Sequence, residues 1–117
     1  MIGKLSEDLK DAILDTMPLE ITVIDENDKI VGWNRDKTRI FKRTEDLIGK
    51  DVLECHPEHI RDKVSQLIKD MKEGTKDSHI AYSMGPDKQK VKVGYYALRK
   101  DGKYIGALEW NHTEEKE

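Results

Sequence analysis

Residues 19–33 read LEITVIDENDKIVGW, and the reading of this stretch decides the fold. From 19 to 25, β-branched residues alternate with other types, the pattern of a strand. Glu26, Asn27 and Asp28 form a polar turn, and residues 29–33 supply a second short strand. Two strands on so tight a turn form an antiparallel hairpin. Asn34 follows where a helix N-cap would sit, so RDKTRIF is predicted to begin a short helix.

On the N-terminal side, Leu5, Leu9, Ile13 and Met17 stand four apart with Ala12 beside them. That spacing predicts one apolar stripe on a helix over 4–17, ended by Pro18. On the C-terminal side, a short helical turn begins after Thr44 and breaks at Gly49, and residues 51–56 read as irregular. Pro57 suits the start of a longer helix over 58–74, with Ile60, Val64, Leu67, Ile68 and Met71 on one face and Gly74 closing it. Three strands follow, at 77–84, 89–99 and 103–112, joined by the turns GPDKQ and Lys100-Asp101-Gly102. The final EEKE reads as a frayed tail.

A hairpin, a helical crossover and a three-stranded meander predict an α+β fold. Its five-stranded antiparallel sheet carries helices on one face and a flanking helix at the N-terminus. Alternation puts Val91, Val93, Tyr95 and Ala97 on one side of their strand, predicted to face the helices. Tyr104, Gly106, Leu108 and Trp110 are assigned to the same side. Tyr96, Leu98, Ile105 and Ala107 are assigned to the outer one. Small residues at Ala97 and Gly106 beside large aromatics leave two readings, a cavity under the long helix or a filled core.

Composition narrows the function classes. A length of 117 residues fits one domain. Net charge is −3 with both signs mixed along the chain, so no basic block awaits a nucleic acid. No run of apolar residues is long enough for a membrane span, and the polar N-terminus lacks a signal peptide's apolar region. The single cysteine, Cys55, leaves no internal disulfide and points to a cytoplasmic location. No nucleophile–histidine–acid order and no glycine-rich phosphate loop is legible, so no enzymatic activity is expected.

Three phrases carry a resemblance: VIDENDKIVGWNR at 23–35, FKRTEDLIGKDVLE at 41–54 and RKDGKYIGALEWNHTEE at 99–115. Together they resemble the PAS domain family over residues 18–114, with Leu47, Ile48, Gly49 and Lys50 the most specific part. The stretch GKDVLECHPEHI is also similar to PAS domains of bacterial and archaeal regulators, some fused to hemerythrin-like domains. The resemblance implies a PAS fold over 18–114 preceded by a helix over 1–17. It implies a cytoplasmic sensory module that takes a small ligand or cofactor between sheet and helices and signals through dimer contacts. The candidate cavity lining is Leu53, His56, Val64, Ile68, Met71, His79, Val93, Tyr95, Leu108 and Trp110. The candidate interface of a homodimer is Leu5, Leu9, Ile13 and Met17. Other signalling domains in a longer protein are further expected partners.

Two alternatives stand beside this reading. One is a ligand-free interaction and dimerisation module. The other is a haem sensor, whose ligand would be His56, His59 or His79. Cys55, His56 and His59 lie within five residues, yet no second cysteine completes a tetrahedral zinc site, so no metal centre is expected. They read equally as a helix entrance. His79 either meets a ligand or is satisfied by a cross-strand neighbour, and His112 ends the last strand, exposed. Flavin is not expected: flavin-binding relatives place a cysteine where this chain has none, and Val91 and Leu108 stand where they use amides. The cofactor, if any, stays open.

Overall fold

The computed structural model describes residues 1–114; residues 115–117 of the expected tail lie outside the described residues. Helix α1 spans Glu7–Thr16 and the hairpin is β1, Glu20–Asp25, with β2, Ile30–Trp33. Two 3-10 turns follow at Glu45–Leu47 and Val52–Cys55, then α2, Glu58–Glu73. Strands β3, Ser78–Met84, β4, Lys90–Lys100, and β5, Lys103–Thr113, complete the elements of the described residues. All five strands share one antiparallel sheet in the order β2-β1-β5-β4-β3. The segment from β2 to β3 therefore crosses from one edge of the sheet to the other, and α2 rides over its inner face.

Of the stripe read on α2, Val64, Leu67, Ile68 and Met71 are buried and pack with Ile24, Ile30, Val52 and Ala107, while Ile60 is half-buried. Gly74 ends the helix at φ 82°, its N–H turned back to the carbonyls of Asp70 and Met71. Only glycine takes that left-handed conformation without a steric cost.

Three expectations are corrected. No helix follows Asn34, because Arg35 leaves β2 at φ 53°, outside the helical region. The side chain expected to cap a helix is instead buried and brackets a neighbouring segment. Its Oδ1 accepts from the Ile21 N–H at 2.6 Å, while its amide donates to the carbonyls of Leu19 and Leu14. Residues 51–56, read as irregular, hold a 3-10 turn that Asp51 caps by accepting from the Leu53 N–H at 2.9 Å.

The third correction concerns β5. Arg99 faces Tyr104 but Leu98 faces Gly106, so Ile105 is an extra residue, a β-bulge. One inserted residue inverts the facing of everything beyond it. The inner face therefore receives Ala107, Glu109 and Asn111, opposite Ala97, Tyr95 and Val93. Gly106, Leu108 and Trp110 turn to the outer face, and Ala107, expected outside, is core. On the outer face Trp110 stacks on Tyr96 at 6.4 Å and lies over Gly94, where any Cβ would collide with the indole.

Helix α1 has an N-cap, Ser6, which accepts from the Leu9 N–H at 3.2 Å, but it buries no residue. Leu9, Ile13 and Leu14 are exposed, and Leu5 and Met17 are half-buried.

Ile68→Ala is expected to cost about 2–5 kcal/mol, read from denaturant midpoints, because it empties the centre of the core. Asn34→Ala is expected to cost about 1–3 kcal/mol, since it strands the Ile21 N–H and two carbonyls. An unchanged midpoint in either variant would contradict the packing described.

Candidate functional site

The inner face is divided. Over Ile24 of β1, Ile30 of β2 and Ala107 of β5 it is filled by α2. Over β3 and β4 it is not, because β3 offers that side His79, Ala81 and Ser83, opposite Tyr95, Val93 and Val91. Ala81 and Ser83 are too short to reach α2. What remains is an open cleft of about 790 Å³ between α2 and the β3–β4 half of the sheet. Its walls are Phe41, Ile60, Val64, Leu67 and Val93, and Arg43, His56, Tyr95, Glu109 and Asn111 add polar groups to its lining.

Two buried polar clusters position residues of that lining. In the first, the Arg39 guanidinium pairs with the Glu20 carboxylate at 3.3 Å, both side chains being almost wholly buried. Arg39 also donates to the Ile21, Asn34 and Phe41 carbonyls and to Thr22 Oγ1. Glu20 accepts from the N–H groups of Ile40 and Phe41 at 3.1 and 3.2 Å. The loop after β2 is thereby drawn onto the sheet, which sets Phe41 and Arg43 at the cleft. Arg43 Nε donates to Thr22 Oγ1 at 2.9 Å. Burial works against both charges of the pair, raising Glu20 and lowering Arg39 from their usual values. A guanidinium nevertheless stays protonated.

In the second cluster, His56 Nδ1 meets the Val52 carbonyl at 3.0 Å and Nε2 meets the Glu109 carboxylate at 3.4 Å. Both ring nitrogens face acceptors, so both carry protons and the ring is an imidazolium. Burial disfavours that charge, but the Cys55 contact and the Glu109 carboxylate outweigh it and raise His56 to about 10. Burial also opposes charge on Glu109. His56 prevails there, helped by Arg43 and Asn111, and holds the carboxyl below the usual range. The Asn111 amide is oriented to donate to Glu109 Oε1 at 3.2 Å. Burial, with the Glu109 charge adding, pushes Tyr95 well above the ordinary phenol value, so it stays a neutral hydroxyl.

Of the residues singled out in the sequence, His56, Val64, His79, Val93 and Tyr95 line the cleft, as does His59. His79 sits at its open edge, stacked on Tyr95 at 6.4 Å. Ile68 and Met71 border only a separate void of about 30 Å³, about the size of a water. Leu53 packs against the core. Trp110 is on the opposite face, and Leu108 shares its outward register while contributing to the wall of the small void. Phe41, Arg43, Glu109 and Asn111 were missed. For the last two, a bulge in β5 would have supplied the signal. Among the described residues no cluster of three or more His, Cys, Asp or Glu is arranged for a metal ion.

The His56–Glu109 pair has a definite pH signature. His56 is raised in the folded state, so its contribution is complete below its ordinary value of 6.5 and is lost as pH climbs through about 10. Glu109 is lowered, so its contribution is complete above 4.5 and is lost as pH falls below that. His56→Gln is expected to destabilise the chain more at about pH 6 than at about pH 10. A stability gap that stays constant across that range would mean a neutral His56.

A family model for the PAS domain matches residues 11–112. No protein of curated function matches the sequence significantly. Among solved structures, a C-terminal domain from Streptococcus mutans is 30% identical over 97% of this chain and 88% of that one, with a TM-score of 0.86. The PAS domain of a Colwellia psychrerythraea protein is 16% identical over 92% of this chain and 95% of its own, with a TM-score of 0.67. The VqmA–ligand–DNA complex of Vibrio cholerae contains a similar fold, 20% identical over 94% of this chain but 52% of that one, with a TM-score of 0.67. The last two are likenesses of fold alone. The family match runs from within α1 to the end of β5, across the bracketed loop and the cleft, and this chain belongs to the PAS domain family.

Proposed function

We propose that this PAS domain is a cytoplasmic sensory module, without catalytic chemistry of its own, that binds a small ligand in the cleft beneath α2. The observation that carries the reading is the cleft itself. Its volume of about 790 Å³ falls in the range of small-molecule sites, and it joins apolar walls to a few convergent polar groups. A packed core has no use for Arg43, Tyr95, Glu109 and Asn111 side by side. VqmA, of similar fold, is known as a complex with a ligand and DNA. In the present chain the two charge signs are interspersed, which favours a small molecule over a nucleic acid.

Signalling would run through a homodimer. Helix α1 leaves Leu9 and Ile13 exposed, and the outer face of the sheet adds Ile80, Met84, Tyr96 and Ile105. So much unpartnered apolar surface favours an interface between copies. The loop that carries Phe41 and Arg43 to the cleft is the loop whose Asn34 and Arg35 hold the end of α1. A ligand that prefers one placement of that loop would bias α1 as well. The same apolar surface supports the second reading, a dimerisation module with no ligand.

Haem fits His56 poorly, since both its nitrogens are engaged. His59 and His79, at the rim, are the histidines left for an iron, and a Soret band in the purified protein would revive that reading.

Native mass spectrometry of gently purified protein is expected to find a small molecule bound to the folded chain; a chain that never carries or takes up one leaves only the interaction module. Light scattering is expected to show a dimer that Ile13→Glu dissociates. A wild-type monomer at high micromolar concentration would refute the dimer.

A further inference from the structure

The charges of the cleft are unevenly compensated, and the imbalance names a ligand class. Of its two anions, only Glu109 meets a charged partner; Asp70 forms no ion pair among the described residues and takes a neutral donor. Glu109 is engaged by His56 and Asn111, and Asp70 accepts from Gln66 at 2.9 Å. Apart from His56, the cations are not so engaged. Lys63 and Lys76, at the rim, form no ion pair among the described residues, and Arg43 makes one hydrogen bond, through Nε to Thr22. The two terminal nitrogens of the Arg43 guanidinium make none among the described residues. They form a planar fork, the geometry that takes a carboxylate through two parallel hydrogen bonds.

We infer that the ligand is a small apolar carboxylic acid, its carboxylate on Arg43 and its body against Phe41, Ile60, Val64 and Val93. The inference rests on the sensory reading above. A cationic ligand would meet Arg43 where the neighbouring carboxylate, Glu109, is already engaged by His56. A dianion such as a phosphate monoester, held on Arg43, would bring a second negative charge beside Glu109; the guanidinium there offsets one charge, and Lys63 and Lys76 stand at the rim. A monoanion matches that guanidinium. Tyr95, a neutral hydroxyl in the cleft lining, offers a further donor, and Lys63 and Lys76 add an attractive field at the entrance.

The test is an NMR titration of the full chain with benzoic, naphthoic and indole-acetic acids and the straight-chain acids from hexanoic to dodecanoic. The primary amide, phosphonic acid and amine of each body are run beside them. At least one acid is expected to bind, with shifts centred on Phe41, Arg43, Val93 and Tyr95, and its amide to bind about tenfold or more weakly. Arg43→Gln is expected to bring the acid down to the level of the amide. Because Arg43 also supports Thr22, its unfolding midpoint is measured in parallel. Lys63→Gln, at an exposed position, is expected to weaken the acid by a smaller, salt-sensitive factor. Acid and amide of equal affinity, a phosphonate or amine that binds better, or a panel with no bound acid would each overturn the inference. If native mass spectrometry then finds a neutral or cationic ligand, the sensory reading survives without it; if no ligand of any kind is found, both fall.

Discussion

The structure turns on the ion pair between Arg39 and Glu20. Removing two charges from water costs several kcal/mol for each ion, and the pair alone does not return it. It is tolerated because each group is saturated. Arg39 reaches three carbonyls and a hydroxyl besides the carboxylate, and Glu20 takes two backbone N–H groups. Those bonds define the loop after β2, a stretch with no regular structure of its own. Without them Asn34 would have no fixed place from which to hold Leu14, Leu19 and Ile21. Phe41 and Arg43 would likewise have no fixed place at the cleft. A buried charge here orders a loop in place of packing a core.

The same pair explains what the sequence hid. Strand β1 alternates Glu20, Thr22 and Ile24 with Ile21 and Val23, and simple alternation turns the polar set to water. In the structure that set faces the helices, because Arg39 and Arg43 descend to meet Glu20 and Thr22. Such a partnership spans about twenty positions of sequence and leaves no periodic trace. The bulge at Ile105 was equally silent: one residue more in β5 reassigned Ala107, Leu108, Glu109, Trp110 and Asn111. Spacing and turn chemistry were read correctly in several places, though the cap signal at Asn34 was not. The stripe of α2, the stop at Gly74, the hairpin turns and the antiparallel order all follow from spacing and turn chemistry. Of the ten residues expected to line a cavity, His56, Val64, His79, Val93 and Tyr95 line the cleft. Arg43 and Glu109 were not legible in the sequence.

The inner face thus carries two surfaces that a hydropathy count merges. Over Ile24, Ile30 and Ala107 it is a close-packed core, intolerant of lost volume. Over Tyr95, Glu109 and Asn111 it is a walled polar basin. Helix α2 serves both, with Val64 and Leu67 at the boundary. Changes at Ile68 or Met71 report on folding, while changes at Lys63 or Ile60 report on the basin, although all lie on one helix.

Helix α1 makes its hydrogen bonds to the rest of the fold at its C-terminal end. Its backbone is held near Leu14 and Met17 by Asn34 and Arg35, and nothing along its length is buried. Held in this way, it would act mechanically as a lever with its pivot at the C-terminus. Ten residues at 1.5 Å rise give an arm of about 15 Å, so a tilt of about 10° at the pivot swings the far end through roughly 2.6 Å. A displacement too small to disturb the bracket's hydrogen bonds would therefore be amplified along the helix into a shift comparable to half a helical turn.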